Sequence, residues 1–409
     1  MSVKTSCFKI SLPLIAALLI LSPGCSPKSE ATKWVGTWAS SQQLVEPHNM
    51  PPEPGLTNNT LRQIVRTSIG GDSLRLKLSN LFSDDSVELN EVMIALSSGS
   101  HTTDSTTNTP LSFGGERTIS IAAGEEIISD PVAFKLEPLS ELAITISFGN
   151  TPDNITGHPG SRTTSYLTTN NSVKDAGFDD FVETDHWYLI NAIDVKAPET
   201  AAAIVTLGNS ITDGRGSGTN KQNRWPDILA QRLANNEATA NISVLNHGVG
   251  GNCVLKPCLG ESALDRFQRD VIDQQGVKWL IISIGVNDIG QTPDSTAAMT
   301  VADDLIAAFS SMIEDAHAAG IKVYGCTILP FGESFYYAPF REEARLKVND
   351  WIRNSKSFDA VIDFDLATQT PEFPRIMQVG IHTGDYLHPN EKGYKLMGEY
   401  IDLKLFSEL

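Results

Sequence analysis

Ala202-Ala203-Ile204-Val205-Thr206-Leu207-Gly208-Asn209-Ser210-Ile211-Thr212-Asp213-Gly214 is an apolar run that stops abruptly in a glycine-flanked polar turn. Six residues with almost no polar alternation suit a strand buried on both faces, as in a parallel sheet. The pattern then recurs along the chain. Arg224 to Ala234 has helical spacing and Ile242 to Leu245 reads as a strand. Ser262 to Asp273 reads as a helix and Trp279 to Ile284 as a strand. Val301 to Ala319 and Arg341 to Arg353 are helical, Ile321 to Ile328 and Ala360 to Phe364 extended. A last helix starts near Pro389-Asn390. This alternation predicts an α/β domain over 201–409: a parallel sheet with helices on both faces, three layers, flavodoxin-like. In such sheets ligands bind at the carboxyl ends of the strands.

Upstream, the pattern has a different period. Ser73-Leu74-Arg75-Leu76-Lys77-Leu78-Ser79 alternates apolar and polar, as a half-buried strand does. Glu88 to Ala95, Thr118 to Ile121, Val132 to Leu136 and Leu142 to Phe148 are further strands, separated by Thr, Ser, Gly, Asn and Asp clusters. The Ser/Thr-rich stretch Ser98 to Thr109 reads as an exposed loop. Many short strands at regular spacing predict an all-β sandwich over 34–195. Lys196-Ala197-Pro198-Glu199-Thr200 reads as the boundary between the two domains.

Lys4 and Lys9 precede an apolar run, Leu12 to Leu21, that is too short for a stable membrane span. It reads as a signal peptide over 1–25. Ser22-Pro23-Gly24-Cys25 resembles a bacterial lipobox, with Ser22 where Leu is usual. Cys25 is therefore expected to carry a lipid and a polar tether, 26–33, to follow it. The protein is then a membrane-anchored lipoprotein, or periplasmic or secreted if Cys25 is unmodified. An oxidising compartment makes a Cys253–Cys258 disulfide possible, geometry permitting. Cys326, in an apolar stretch, reads as a buried, inert thiol. The 409 residues carry a net charge of −18 and no basic patch, which excludes nucleic acid as a natural partner. The oligomeric state is not legible.

Four turns at strand ends carry chemistry. The first holds Ser210, directly after the buried strand. The second is Asn246-His247-Gly248-Val249-Gly250-Gly251-Asn252, whose glycines let backbone N–H groups approach a ligand. The third is Gly285-Val286-Asn287-Asp288, with a side-chain amide able to donate. The fourth is His382-Thr383-Gly384-Asp385-Tyr386-Leu387-His388-Pro389-Asn390, in which Asp385 sits three residues before His388 and can orient its ring. Each turn alone is more simply a turn. His382, Asp385 and His388 could also hold a metal, but HExxH is absent and no further cluster has ligand spacing, so neither metal nor cofactor is expected.

Together the four turns, in this order and spacing, resemble the signature blocks of the SGNH (GDSL) hydrolase superfamily. No G-x-S-x-G elbow of the α/β-hydrolase type surrounds any Ser. The resemblance implies a serine esterase in which Ser210 is the nucleophile, His388 the general base and acid, and Asp385 its orienting partner. The Ser210 N–H, the Gly251 N–H and the Asn287 side chain would form the oxyanion hole, with Gly250 and Gly248 as alternatives to Gly251. Asn209 departs from the family's usual Asp. It keeps an acceptor oxygen for capping and loses the charge. Trp34-Val35-Gly36-Thr37-Trp38-Ala39, Leu61-Arg62-Gln63-Ile64-Val65 and Arg224-Trp225-Pro226-Asp227 are similar to a branch with an N-terminal β-sandwich, some members of which sit in xylan-degrading systems. That branch implies removal of acetyl groups from a poly- or oligosaccharide. A general short-chain carboxylesterase, a lysophospholipase, and a silent surface-binding protein are the competing expectations. The six Trp read mainly as core, with Trp187 or Trp225 as the alternative sugar platforms.

Overall fold

The computed structural model describes residues 1–8, 31–169 and 172–407. Cys25, the expected lipid attachment point, lies outside the described residues. Every described strand and helix lies within Thr32–Leu409.

The first half folds into antiparallel sheets. One orders Thr32–Ala39, Ile190–Pro198, Gly71–Ser79 and Val132–Leu136 side by side. A larger sheet is built on Thr60–Arg66, Glu141–Phe148 and Val87–Gly99. The alternation around residues 73–79 has its expected cause: Leu74, Leu76 and Leu78 are fully buried between Arg75 and Lys77, which reach outward. The stretch 98–109 is more ordered than the loop its composition suggests. Thr102–Thr103 pairs back onto Val87–Gly99, and Asp104 caps a 3₁₀ turn through Thr106 N–H. A third, small sheet joins Gln43–Leu44, Thr156–His158 and Trp187–Tyr188. This small sheet reaches the functional site.

The second half is a five-stranded parallel sheet. In chain order its strands are Ala202–Gly208, Ile242–Gly248, Val277–Ser283, Lys322–Cys326 and Ala360–Ile362. Their spatial order is second, first, third, fourth, fifth. That is the flavodoxin-like order, and its switch point lies beside the first strand. Helices Trp225–Ala234, Ser295–Ala318, Pro339–Asn354 and Glu391–Tyr400 bury their apolar residues against it. The stretch 262–273 does not form the regular helix its spacing suggests; only Gln268–Ile272 is helical, as a π-turn. The reason is its polar inner face. Arg266 and Asp270 turn inward, fully buried, and bind polar groups behind the site instead of apolar neighbours.

The two halves share backbone-level contacts along the edge strand Ile242–Gly248. Ser243 Oγ donates to Gly36 O at 2.6 Å, and Ser68 Oγ donates to Val244 O at 3.1 Å. A Cβ on Gly36 would come within 2.9 Å of Leu245 Cδ1, so any larger residue here would have to displace the Leu245 side chain. Trp187 and Trp225 are both almost fully buried, which makes them core residues and leaves no face for a sugar.

Candidate active site

The first strand of the sheet ends at Gly208 and the chain turns at once into the short helix Ser210–Asp213. Asn209 Oδ1 accepts the Ile211 N–H at 3.0 Å and so caps that helix. The cap needs an acceptor oxygen and no charge, so Asn serves where the family uses Asp. Ser210 stands at the first helical position, where a backbone N–H has no intrahelical acceptor and points outward.

Ser210 Oγ lies 2.9 Å from His388 Nε2, and His388 Nδ1 lies 2.7 Å from Asp385 Oδ2. Asp385 and His388, far from Ser210 in sequence, arrive together on the turn before helix Glu391–Tyr400, which Asn390 caps through Lys392 N–H and Gly393 N–H. Asp385 Oδ1 also accepts the N–H groups of Leu387 and His388, which fixes the carboxylate under the ring. Burial alone would raise the Asp385 pKa, but these bonds and the His388 ring hold it well below the usual carboxylate range. Burial lowers the His388 pKa below the ordinary imidazole value. Asp385 opposes that shift, while Arg215 and Arg162 add to it. A largely neutral ring with a free lone pair facing a hydroxyl is the condition for general-base work. His382 does not join this group: its Nδ1 accepts the Gly384 N–H at 3.0 Å and its ring stacks on Tyr386.

Two further strand-end turns surround Ser210. Gly248 has spent its N–H on Asn246 Oδ1 at 2.9 Å, and a Cβ there would strike the Asp213 backbone. Gly250 and Gly251 line the cleft instead, and Gly251 has a φ of 67°, which favours glycine. Asn287 Nδ2 donates to Asn252 O at 2.7 Å, leaving its second hydrogen free for the cleft. Its Oδ1 accepts from Tyr336 OH at 3.1 Å, so the amide cannot turn over without losing both bonds.

The turn carrying Gly251 is held from behind. Cys253 and Cys258 form a disulfide. Asp288 accepts the N–H groups of Val254 and Leu255 at 3.0 and 3.1 Å. Arg266 donates to Asn252 Oδ1, to Ser41 Oγ, and to the strand-end carbonyls of His247 and Gly208, at 2.9–3.2 Å. Asp270, 2.9 Å away, supplies its counter-charge. His247, buried in the same network, has its pKa lowered to about 4 by burial and remains neutral at pH 7.

The β-rich half supplies the opposite wall. Gln43, Glu46, His48, Asn49, His158, Gly160, Arg162 and His186 line a cleft of about 340 Å³ together with Ser210, Asn287 and His388. His158 Nε2 lies 2.9 Å from Asp213 Oδ1, three residues after Ser210, and its Nδ1 lies 2.8 Å from Ser41 O. Gly160 lets the Asp213 carboxylate approach, since a Cβ there would sit 1.9 Å from Oδ2. Sequence reasoning singled out none of His158, Arg162, Asp213, Arg215 or Tyr336. Asp213 was adjacent to the Ser210 turn, but nothing local marks the others. Cys326 is buried, and burial raises its thiol pKa, so it stays protonated and distant from this chemistry.

Among curated proteins no match to the chain is found. Solved structures with a similar fold include a member of the lipolytic protein G-D-S-L family from Veillonella parvula DSM 2008, at 24% identity and a TM-score of 0.38. It aligns over 51% of this chain and 100% of that one. A catalytic mutant of an acetylxylan esterase from Geobacillus stearothermophilus aligns at 18% identity and a TM-score of 0.38, over 49% and 94%. The lipase/acylhydrolase from Enterococcus faecalis aligns at 19% and 0.38, over 50% and 95%. Residues 206–396 match the family described as GDSL-like Lipase/Acylhydrolase. The C-terminal half of the chain is thus a GDSL/SGNH hydrolase domain, that of a carboxylic ester hydrolase, preceded by an antiparallel β-rich region.

Proposed function

We propose that the protein removes short acyl groups, acetyl foremost, from carbohydrate, with Ser210 as nucleophile. In this reading His388 takes the Ser210 proton as the hydroxyl attacks the ester carbonyl. The negative charge on the carbonyl oxygen is met by the Ser210 N–H, the Gly251 N–H and Asn287 Nδ2. His388 then returns the proton to the leaving alcohol, and water repeats the sequence on the acyl-enzyme. Asp385 holds the ring with its Nε2 lone pair toward Ser210.

The observation that carries the substrate class is the composition of the cleft. Among Pro159, Leu259, Phe335, Leu387 and the Tyr336 ring, its wall interleaves Gln43, Glu46, His48, Asn49, Arg162, His186 and Arg215. A long acyl chain gains about 0.8 kcal/mol per buried methylene only on continuous apolar surface. Here hydrogen-bonding groups interrupt the apolar ones, which suits a polyhydroxylated alcohol and a short acyl group. The sequence branch with an N-terminal β-rich domain points the same way. Export, with lipid on Cys25, fits a polysaccharide substrate. It would be tested by fatty-acid labelling of wild type and Cys25→Ser, and absence of label on both would remove the anchor.

Acetate release from acetylated xylan, beside p-nitrophenyl esters of rising chain length, tests the reading. Release from xylan that disappears in Ser210→Ala supports it. Hydrolysis that climbs with acyl length, with no release from xylan, would favour a lysophospholipase or general carboxylesterase.

A further inference from the structure

Two guanidinium groups of the cleft have no part in the ester chemistry. Arg162 comes from the β-rich half and Arg215 from the turn after the Ser210 helix. Their backbones are rigidly mounted. Arg215 N–H donates to Ser210 O at 2.9 Å and its carbonyl accepts from the buried Tyr394 OH at 2.7 Å. Arg162 is held at a φ of 53°, uncommon for a residue with a side chain, and its carbonyl accepts the Asn220 N–H at 3.0 Å.

Neither guanidinium is matched by a carboxylate at hydrogen-bond distance. Arg162 Nη2 is 3.8 Å from Asp213 Oδ2, whose other oxygen is already bound by His158. Arg162 Nε is buried with no acceptor. Partly buried arginines elsewhere have close partners: Arg75, Arg269 and Arg353 each grip a carboxylate at 2.7–2.8 Å, and Arg66, Arg232 and Arg341 donate to backbone carbonyls. The remaining acids at the cleft are occupied too. Glu46 is held by the Gln43 and Asn49 amides, and Asp385 by His388. A chain with 49 acidic and 31 basic residues thus presents two cations beside its esterase serine, the exposed Arg215 and Arg162, which is held only by a long ion pair to Asp213. Both lie close enough to His388 to act on its charge.

We propose that Arg162 and Arg215 form a subsite for a carboxylate on the alcohol portion of the substrate, so that the preferred ester is an acetylated acidic sugar, a uronate, within a polysaccharide. A planar guanidinium matches a carboxylate in two parallel hydrogen bonds, which an uncharged sugar cannot supply. The subsite needs both halves of the protein, which gives the β-rich region a task in choosing substrate. The proposal rests on the carbohydrate esterase reading above.

The test compares two synthetic probes: an acetylated methyl glucuronoside with a free carboxylate, and the same compound with that carboxyl methyl-esterified. Acetate release at pH 7 gives kcat/KM for each. The full-length enzyme is expected to prefer the acid by about 10–100-fold, the range for a hydrogen bond to a charged group, and 0.5 M NaCl is expected to shrink the preference. Arg162→Gln and Arg215→Gln should each bring the ratio toward one, while Arg215→Lys keeps part of it. Equal rates on the two probes, or a preference for the neutral one, would overturn the proposal even with no variant in hand. A preference unchanged in both glutamine variants would do so as well. If neither probe is cleaved while p-nitrophenyl acetate is cleaved in a Ser210-dependent way, the carbohydrate reading itself fails and takes this proposal with it. Cleavage of both at the same rate removes the proposal alone.

Discussion

Asn287→Ala separates the oxyanion role of Asn287 from its structural one. The side chain is buried, and its amide makes two hydrogen bonds, to Asn252 O and from Tyr336 OH. Alanine removes both, and it removes the hydrogen left for the carbonyl oxygen of the substrate. Loss of one oxyanion donor costs about 2.7–4 kcal/mol in the transition state, or about 10²–10³ in kcat. The same change strips the fully buried Asn252 of one donor to its carbonyl, which costs about 1–3 kcal/mol of folding stability. For a unit of this size that amounts to a Tm lower by only a few degrees, leaving the variant folded at 25 °C. The carbonyl oxygen carries little charge before attack, so KM is expected to stay close to wild type. Stopped assays of p-nitrophenyl acetate over a substrate series, beside a thermal melt, read both effects. A folded variant whose kcat stays within about threefold of wild type would refute the assignment, since the expected loss is at least about a hundredfold. A large rise in KM with unchanged kcat would place Asn287 in ground-state binding instead.

The same geometry makes further predictions. Tyr336→Phe keeps the ring that packs on Gly290 and frees the Asn287 amide to turn, so kcat should drop about tenfold, the value of one hydrogen bond, with KM little changed. An equal loss in KM alone would make Tyr336 a substrate contact. Because burial lowers the His388 pKa and a general base must be neutral, the acid limb of kcat/KM should fall below pH 6.5, with activity rising as pH rises through it. Arg215→Gln removes a nearby positive charge and should move that limb to higher pH; a limb that stays put or moves down would contradict the electrostatic account. Asp385→Asn should cost about 10⁴ in kcat through loss of ring orientation, and a loss under tenfold would exclude Asp385 from that task. Cys258→Ser opens a small loop and should lower stability by about 2 kcal/mol, read as a Tm lower by about 3 °C. Unchanged melting would show the turn to be held by Asp288 and Arg266 alone.

Much of this was written in local patterns. Buried runs such as residues 202–207 can only be central strands, because their side chains have no polar face to offer water. The functional turns sit where those runs stop, and Ser210, Asn287, Asp385 and His388 could be named because the four turns together resemble the SGNH signature blocks. The choice among three glycines could not, because it depends on which N–H is already spent; Gly248 is excluded by a bond to Asn246 Oδ1 that spacing does not encode. The helix expected over 262–273 failed for a related reason. Arg266 and Asp270 look like surface residues in sequence, and only the long-range partners Ser41, His247 and Asn252 make their burial affordable. The second wall of the cleft was least legible. Gln43, His158 and His186 come together through two strand pairings, Gly157 with Gln43 and His158 with Trp187, and each lies in an unremarkable stretch.

The central claim is that Ser210, activated by His388, is the nucleophile of an esterase. Incubation of the protein with a fluorophosphonate, followed by peptide mass spectrometry, tests it most directly. The account predicts one phosphonate adduct, on Ser210, forming in step with loss of p-nitrophenyl acetate hydrolysis and absent from His388→Ala. An adduct on another serine, or full esterase activity retained by Ser210→Ala, would contradict it.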